Sequence, residues 1–458
     1  MKLRRVMIAA PKSGSGKTTI TCALLQALKE KGVSVASYKC GPDYIDPMFH
    51  KTVLDIPSKN LDTFFTDEMQ TRQLFLKDRT EKDFAVVEGV MGLFDGLGGI
   101  REEGSSYHLA KVTRTPVILV ADTKGMGKSA VALIAGFLAY DTEHLIKGVI
   151  LNRMSKHYYE ILKPVLEQEL KIQVVGYLPE NKQMTLESRH LGLRMPQEIT
   201  DIRNQLSEIS ARFQKTVSME KVMKIAEMAE EIGHPFDRND ADILFGFSEK
   251  KPIIAVAKDE AFCFYYYDNL RLLEEYGAKL RFFSPVHDKE LPEDCSGILL
   301  GGGYPELYAS ELSSNKTMLQ SIKTAMQTGI PAVAECGGFM YLHDAIIDQR
   351  GETYEMAGVL QGTCRYTGQL VRFGYIRLTE KGSRFLPEEG NIGAHEFHYF
   401  DSTENGESCV ALKPVTGRTY PCVVERKTQW FGFPHLYYPS NPEFARRFVK
   451  MAGEYEKG

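Results

Sequence analysis

The chain has 458 residues, 43% of them apolar and 25% charged, with a net charge of −4. These totals fit about two globular domains and argue against a nucleic-acid or anionic-membrane partner. The basic start, Met1 to Arg5, is followed by an apolar stretch that stops at Pro11-Lys12, too short for a signal-peptide core. The longest apolar helix candidate, Ser129 to Tyr140, cannot span a bilayer. The eight cysteines contain no C-x-x-C pair and no two lie closer than thirteen residues, which points away from metal fingers and disulfides and towards a reducing cytoplasm.

Val6 to Ala10 reads as a buried strand, Ile20 to Lys31 as an amphipathic helix, and Ser13-Gly14-Ser15-Gly16-Lys17-Thr18-Thr19 lies between them. Strand, glycine-rich loop, Gly-Lys-Thr and helix make a P-loop, with backbone N–H groups for phosphates, Lys17 for the β/γ-phosphates and Thr18 for Mg²⁺. The usual first glycine is Pro11 here, which fixes φ and removes a donor. A second strand, Ser34 to Lys39, runs into Cys40-Gly41-Pro42-Asp43-Tyr44-Ile45-Asp46, acids placed where α/β proteins bind ligands. Phe84 to Val87 is a third strand; Glu88 at its end is the natural second Mg²⁺ contact. Gly89 to Gly96, which includes Asp95, gives a glycine-rich approach to a bulky ligand. Val117 to Asp122, Gly148 to Asn152 and Val174 to Leu178 complete a doubly wound, mostly parallel α/β sheet.

Residues 1–200 form the first expected domain and 201–250 a helical connector, with helices Ile202 to Phe213 and Met219 to Ile232 and a break at Gly233-His234-Pro235. Residues 251–458 form a second α/β domain. Its strands begin at Pro252 to Asp259, Leu280 to Phe283 and Gly297 to Leu300, the last leading into Gly301-Gly302-Gly303-Tyr304-Pro305-Glu306. A triple glycine after a strand can aim backbone N–H groups at an oxyanion. Ile330 to Ala334 then ends at Glu335-Cys336-Gly337-Gly338, and a helix is expected from Phe339 to Ile347. A cysteine at a strand-to-helix turn is a nucleophile candidate, and a helix N-terminus behind it favours the thiolate. Met356 to Leu360 and Gly374 to Leu378 look β-like, and Pro442 to Met451 is the last helix. Three late histidines, His395, His398 and His435, are candidate bases, and spacing alone does not choose among them.

The second half resembles the glutamine amidotransferase domain of the cobyrinate/cobyrate synthase family through Gly301 to Glu306, Glu335 to Gly338, Gly393 to His398, His435 to Tyr437 and Ser440 to Pro442. The first half is similar to the dethiobiotin-synthetase-like P-loop domain of the same enzymes through Ser13 to Thr19, Lys39 to Tyr44 and Glu88 to Gly96. The resemblance implies Cys336 as glutaminase nucleophile, His435 as its activator, and Gly302, Gly303 and Gly337 as oxyanion donors. It implies ATP and Mg²⁺ in the first domain, with Asp43, Tyr44, Asp46 and Asp95 near the substrate and Asp43 a further metal candidate. The expected reaction amidates the a and c acetate carboxylates of a cobalt corrinoid, with an internal path for ammonia; a homodimer is compatible with it. Two departures stand out: Ala334 replaces the wider class's glycine, and Tyr437 replaces the glutamate that orients the histidine. The alternatives are the same chemistry on Ni-sirohydrochlorin or hydrogenobyrinic acid, and a P-loop switch suggested by Lys12, which leaves Cys336 unexplained.

Overall fold

A computed structural model of the chain describes residues 3–77, 82–180, 188–189, 192–193, 202–233 and 251–456. It divides into two compact units, Met1–Asp237 and Arg238–Gly458.

The first unit opens with β1 (Arg4–Ala9), an apolar run buried on both faces as a central parallel strand must be. There follow α1 (Lys17–Glu30), β2 (Val35–Cys40), α2 (Ile45–Leu54), β3 (Ser58–Leu61), α3 (Glu68–Leu76) and β4 (Phe84–Glu88). Then come α4 (Ser106–Val112), β5 (Val117–Asp122), α5 (Ser129–Tyr140), β6 (Ile146–Asn152), α6 (Lys156–Glu169) and β7 (Gln173–Leu178). The sheet order is β3-β2-β4-β1-β5-β6-β7, and every pairing is parallel. Its carboxyl ends carry the P-loop, the start of α2, Glu88 and Asn152 to one edge, where ligands bind in this architecture. Strand β3 was not anticipated. Its sequence, Ser-Lys-Asn-Leu, lacks an apolar run, and only pairing with β2 reveals it.

Two helices follow, α7 (Ile202–Thr216) and α8 (Met219–Glu227). They are part of the first unit rather than a connector. A Cβ on Gly176 in β7 would meet Val217 Cα at 2.6 Å, and one on Gly148 in β6 would meet Ile225 Cδ1 at 2.6 Å. Phe213 and Ile225 are fully buried, and Gln214 donates to Glu30 at the end of α1. Helix α8 also stops well before Ile232. The rest of the expected break, His234-Pro235, and residues 234–250 lie outside the described residues.

The second unit holds a six-stranded sheet in the order Lys279–Phe283, Ile253–Ala257, Gly297–Leu300, Ala332–Glu335, Gln429–Gly432, Val424–Arg426. Only the last pairing is antiparallel. A five-stranded antiparallel sheet contains Arg372–Glu380, Asn391–His398 and His435–Leu436. The helix after Cys336 is only Gly337–Tyr341. His343 ends it by bonding through its ring nitrogens to Phe339 O (2.8 Å) and Ser402 Oγ (2.7 Å). Ala345–Ile347 then pairs as a strand, its two isoleucines favouring extended backbone over helix. The β-like stretch expected at Met356 to Leu360 lies instead at Thr353–Glu355.

Trp430, the single tryptophan, is buried in the six-stranded sheet, with Phe385 at 5.6 Å and Phe444 at 5.2 Å between ring centroids. It reports on this unit alone. Phe444→Ala should destabilise the unit by about 3–5 kcal/mol through lost burial and the cavity left behind, read as a lower urea midpoint of tryptophan fluorescence.

Candidate active sites

In the first unit Gly16 precedes α1 with φ +93°, and no side chain caps the helix. The first N–H groups of α1 are thereby left for an anion. A Cβ on Gly16 would stand 2.4 Å from Asn152 Nδ2, which donates to Ser15 O at 2.8 Å. Asn152 therefore braces the loop; its place at the carboxyl end of a parallel strand was the available sequence signal. Ser13 and Gly14 are exposed on the loop, Ser15 bonds back to Lys12 O, and Thr19 is half-buried in α1. Pro11 leaves its carbonyl 2.6 Å from where a Gly92 Cβ would sit, so the loop's start is pressed against the glycine-rich segment. Asp95 accepts from Gly92 N at 2.9 Å and holds that segment in place.

Lys17 Nζ donates to Met91 O at 2.5 Å. Burial, then the charge of Lys39, lowers its pKa to about 8. Thr18 Oγ1 donates to Glu88 Oε1 at 2.6 Å. Lys39 Nζ reaches the same oxygen at 2.9 Å, Asp46 at 2.5 Å and Asp43 at 3.8 Å. Burial opposes the charge on Lys39, but Asp46 and Glu88 outweigh it and hold the ammonium protonated. Burial also opposes charge on Asp46, and there Lys39 wins, keeping it below the usual carboxylate range. Glu88 and Asp43 go the other way: burial, with repulsion from Asp46, raises both. One ammonium is thus shared among three carboxylates, an arrangement that leaves negative charge for an incoming cation. Asp43 also accepts the N–H groups of Ile45 and Asp46, and Tyr44 stands at the start of α2. Asn60 fixes this turn by donating to Gly41 O and Asp43 O.

In the second unit Cys336 has φ +48°, an uncommon conformation for a side-chain-bearing residue. Its N–H donates to Gly432 O at 2.8 Å, and Gly338 N donates to Gly301 O at 3.0 Å. These bonds press the turn onto the triple glycine. A Cβ on Gly337 would lie 3.1 Å from Gly303 N, and one on Gly338 would lie 2.3 Å from Leu300 O. A Cβ on Gly302 would lie 2.3 Å from His435 Cε1. The structure therefore brings Cys336, Gly337, Gly302, Gly303 and His435 together. His395 pairs across the sheet from His435, and His398 stacks on Phe433 at 4.0 Å. Both lie on an extended strand, and no cluster able to hold a metal occurs among the described residues.

Burial works against the expected thiolate. Burial, then the carboxylate of Glu306, pushes the Cys336 thiol well above its ordinary range, against the Gly337 N–H bond that favours the anion. A helix of one turn supplies too little dipole to compensate. His435 is held down at about 3 by burial, then by His395 and His398. In this state the pair is a neutral thiol and a neutral imidazole. Glu335 was not singled out from the sequence. Its buried carboxyl is raised to about 8 by burial while accepting from Leu436 N and the Tyr438 hydroxyl, so it ties the turn to the His435-Leu436-Tyr437 segment and to the tyrosine that follows it. Tyr437, where the orienting glutamate was missing, packs edge-on against Tyr266 at 5.2 Å.

Fold and sites define a two-domain glutamine amidotransferase that uses a nucleotide. Residues 253–432 match the CobB/CobQ-like glutamine amidotransferase domain, and residues 6–193 match the CobQ/CobB/MinD/ParA nucleotide binding domain. Proteins named cobyrinate a,c-diamide synthase are similar over nearly the whole chain. That of Dehalococcoides mccartyi is 36% identical over 99% of both chains, and that of Caldanaerobacter subterraneus subsp. tengcongensis 38% over 99% of both. That of Listeria innocua is 40% identical over 90% of both. The chain belongs to the cobyrinate a,c-diamide synthase family.

Two outcomes follow from this geometry. Gly302→Ala must displace the His435 ring and should lower glutamine hydrolysis about 100-fold, measured as glutamate release, while ammonia-supported amidation persists. In the ligand-free protein, alkylation of Cys336 by iodoacetamide should rise about tenfold per pH unit from 7 to 9 without a plateau, because the reactive thiolate is the minor form throughout. A plateau in peptide-mapped alkylation below pH 8 would contradict the raised thiol.

Proposed function

We propose that the chain amidates the a and c acetate carboxylates of cobyrinate, using glutamine as nitrogen donor and ATP as activator. Near-full-length similarity to the synthases named above carries this reading, because it spans both candidate sites together. Cys336 attacks the glutamine side-chain carbonyl while His435 takes the thiol proton. In this reading Gly302, Gly303 and Gly337 donate to the resulting oxyanion. His435 returns the proton to the departing nitrogen, ammonia leaves, and water hydrolyses the thioester to glutamate, releasing the thiol.

In the first unit a substrate carboxylate attacks the ATP γ-phosphorus and ADP leaves, giving an acyl phosphate. A free carboxylate is too poor an electrophile for an amine. Ammonia displaces phosphate from the acyl phosphate to give the amide. Lys17 serves the β/γ-phosphates, whose charge would restore its full protonation. Asp43, Tyr44, Asp46 and Asp95 are assigned to the substrate side of the site. The oxygen donors Thr18 and Glu88, with Asp43 as a further candidate, fit Mg²⁺, which would offset negative charge on the phosphates. Among the described residues no helix is long and apolar enough to cross a membrane. The reading places the enzyme in the cytoplasm; a homodimer is compatible with it.

An assay with glutamine and ATP against cobyrinate, hydrogenobyrinate and Ni-sirohydrochlorin, read by mass, tests the assignment. Two amide additions to cobyrinate alone are expected. Cys336→Ala should keep that activity only with added ammonia, and Lys17→Ala should lose it with either nitrogen source. Preference for another macrocycle would move the substrate while keeping the chemistry; amidation of none would overturn the proposal.

A further inference from the structure

Three carboxylates besides the reacting groups act on Cys336: Glu306, Glu335 and Glu396. Two of them are closed. Glu335 accepts from Leu436 N and the Tyr438 hydroxyl. Glu396 is fully buried, accepts from the Tyr420 hydroxyl, and faces Arg372 at 3.6 Å and Lys413 at 3.7 Å. Glu306 differs. It is half-buried, so it still opens to solvent, and among the described residues no cationic nitrogen lies within 4 Å of it. Its own backbone N–H is the donor that its carboxyl meets, and burial raises it to about 7.

The position of Glu306 is set by what precedes it. Pro305 starts the short turn Pro305–Tyr308, and its Cδ would lie 2.9 Å from a Cβ on Gly337. The Tyr304 ring stands edge-on to Phe264 at 5.0 Å, and Phe264 faces the His435 ring at 6.4 Å. The segment 304–306 thus runs beside the turn that carries the nucleophile, with Pro305 against Gly337 and Tyr304 joined through Phe264 to the histidine. Of the charges around the thiol, that of Glu306 acts most strongly. A lone carboxylate there works against the thiolate unless a cation arrives with the substrate. Glutamine carries one, an ammonium four bonds from the carbonyl carbon under attack.

We propose that Glu306 seats the α-ammonium of glutamine beside Cys336 and so makes the site selective for an amino-acid amide over a simple amide. The proposal rests on Cys336 being the glutaminase nucleophile. Binding of the ammonium removes the repulsion that Glu306 exerts on the thiol, so the nucleophile becomes competent when its own substrate is in place. Glu335 and Glu396, already partnered, cannot respond in this way.

The test compares hydrolysis of glutamine with that of 4-carbamoylbutanoate, which keeps the amide and the distal carboxylate and lacks the amine. The wild-type enzyme should prefer glutamine by about 100-fold in kcat/KM. Glu306→Gln should bring the two substrates within a few-fold of each other, through a raised KM for glutamine and a faster hydrolysis of 4-carbamoylbutanoate, which no longer meets the repelling charge beside the thiol. Glu306→Asp should retain part of the preference. Native tryptophan fluorescence from Trp430 confirms that each variant's second unit is folded. A folded Glu306→Gln enzyme that keeps the wild-type preference overturns this proposal alone. A wild-type enzyme that amidates with ammonia and does not hydrolyse glutamine overturns the nucleophile assignment along with it.

Discussion

Backbone passes within van der Waals contact of an imidazole at Gly302, and no side chain can stand between them. That close approach is what brings a strand end, a sharp turn and a histidine from another sheet to one place. Each neighbour of Gly302 depends on similar room. Gly303 runs against Ala261 O, Gly337 against Pro305, and Gly338 against Leu300 O, all at distances where a Cβ would collide. The glycines give the site its shape by absence, and the strained φ of Cys336 persists because the hydrogen bonds on either side of it leave no alternative. Around the histidine, Gly302, Phe264 and the strand carrying His395 crowd the ring where the wider class has an orienting glutamate and this chain has Tyr437.

The first unit works by charge rather than by clearance. Lys39, Asp43, Asp46 and Glu88 are packed around one ammonium, with Thr18 bonded into the same group. Removing charges from water is costly, and such a cluster survives only where each charge meets another. The acids outnumber the ammonium, and Lys17 nearby is depressed by burial. Both features favour a site that accepts a nucleotide with its cation, since phosphates would stabilise Lys17 and a cation would relieve Glu88. The two units thus rest neutral or unbalanced until ligands arrive.

Much of this was legible in the chain. The P-loop, the triple glycine and the cysteine turn are local patterns in which residue type and order carry the chemistry. Parallel strands with apolar runs were equally plain. What escaped was set by tertiary contact. Strand β3 is polar and exists through its pairing with β2. Helices α7 and α8 look solvent-exposed by charge, yet Gly148 and Gly176 leave room for them against the sheet. The helix behind Cys336 stops after five residues because His343 is bonded across to Ser402, 59 positions away. The protonation of Cys336 escaped for the same reason: the helix dipole is a local signal, whereas burial and the charges of Glu306, Glu335 and Glu396 arise from the fold. Glu335 stands inside the cysteine motif and Asn152 at a strand's end, yet each shows its role only through the groups it touches.

In the proposed reaction one chain draws nitrogen from glutamine at Cys336 and delivers it to a carboxylate activated at the P-loop. The most direct measurement is the mass of the product formed from cobyrinate, ATP and glutamine labelled with ¹⁵N in its side-chain amide, in the presence of unlabelled ammonium chloride. A diamide carrying two ¹⁵N atoms is expected from the wild-type enzyme and an unlabelled diamide from Cys336→Ala. A wild-type product that takes its nitrogen only from the unlabelled ammonium would contradict that reaction.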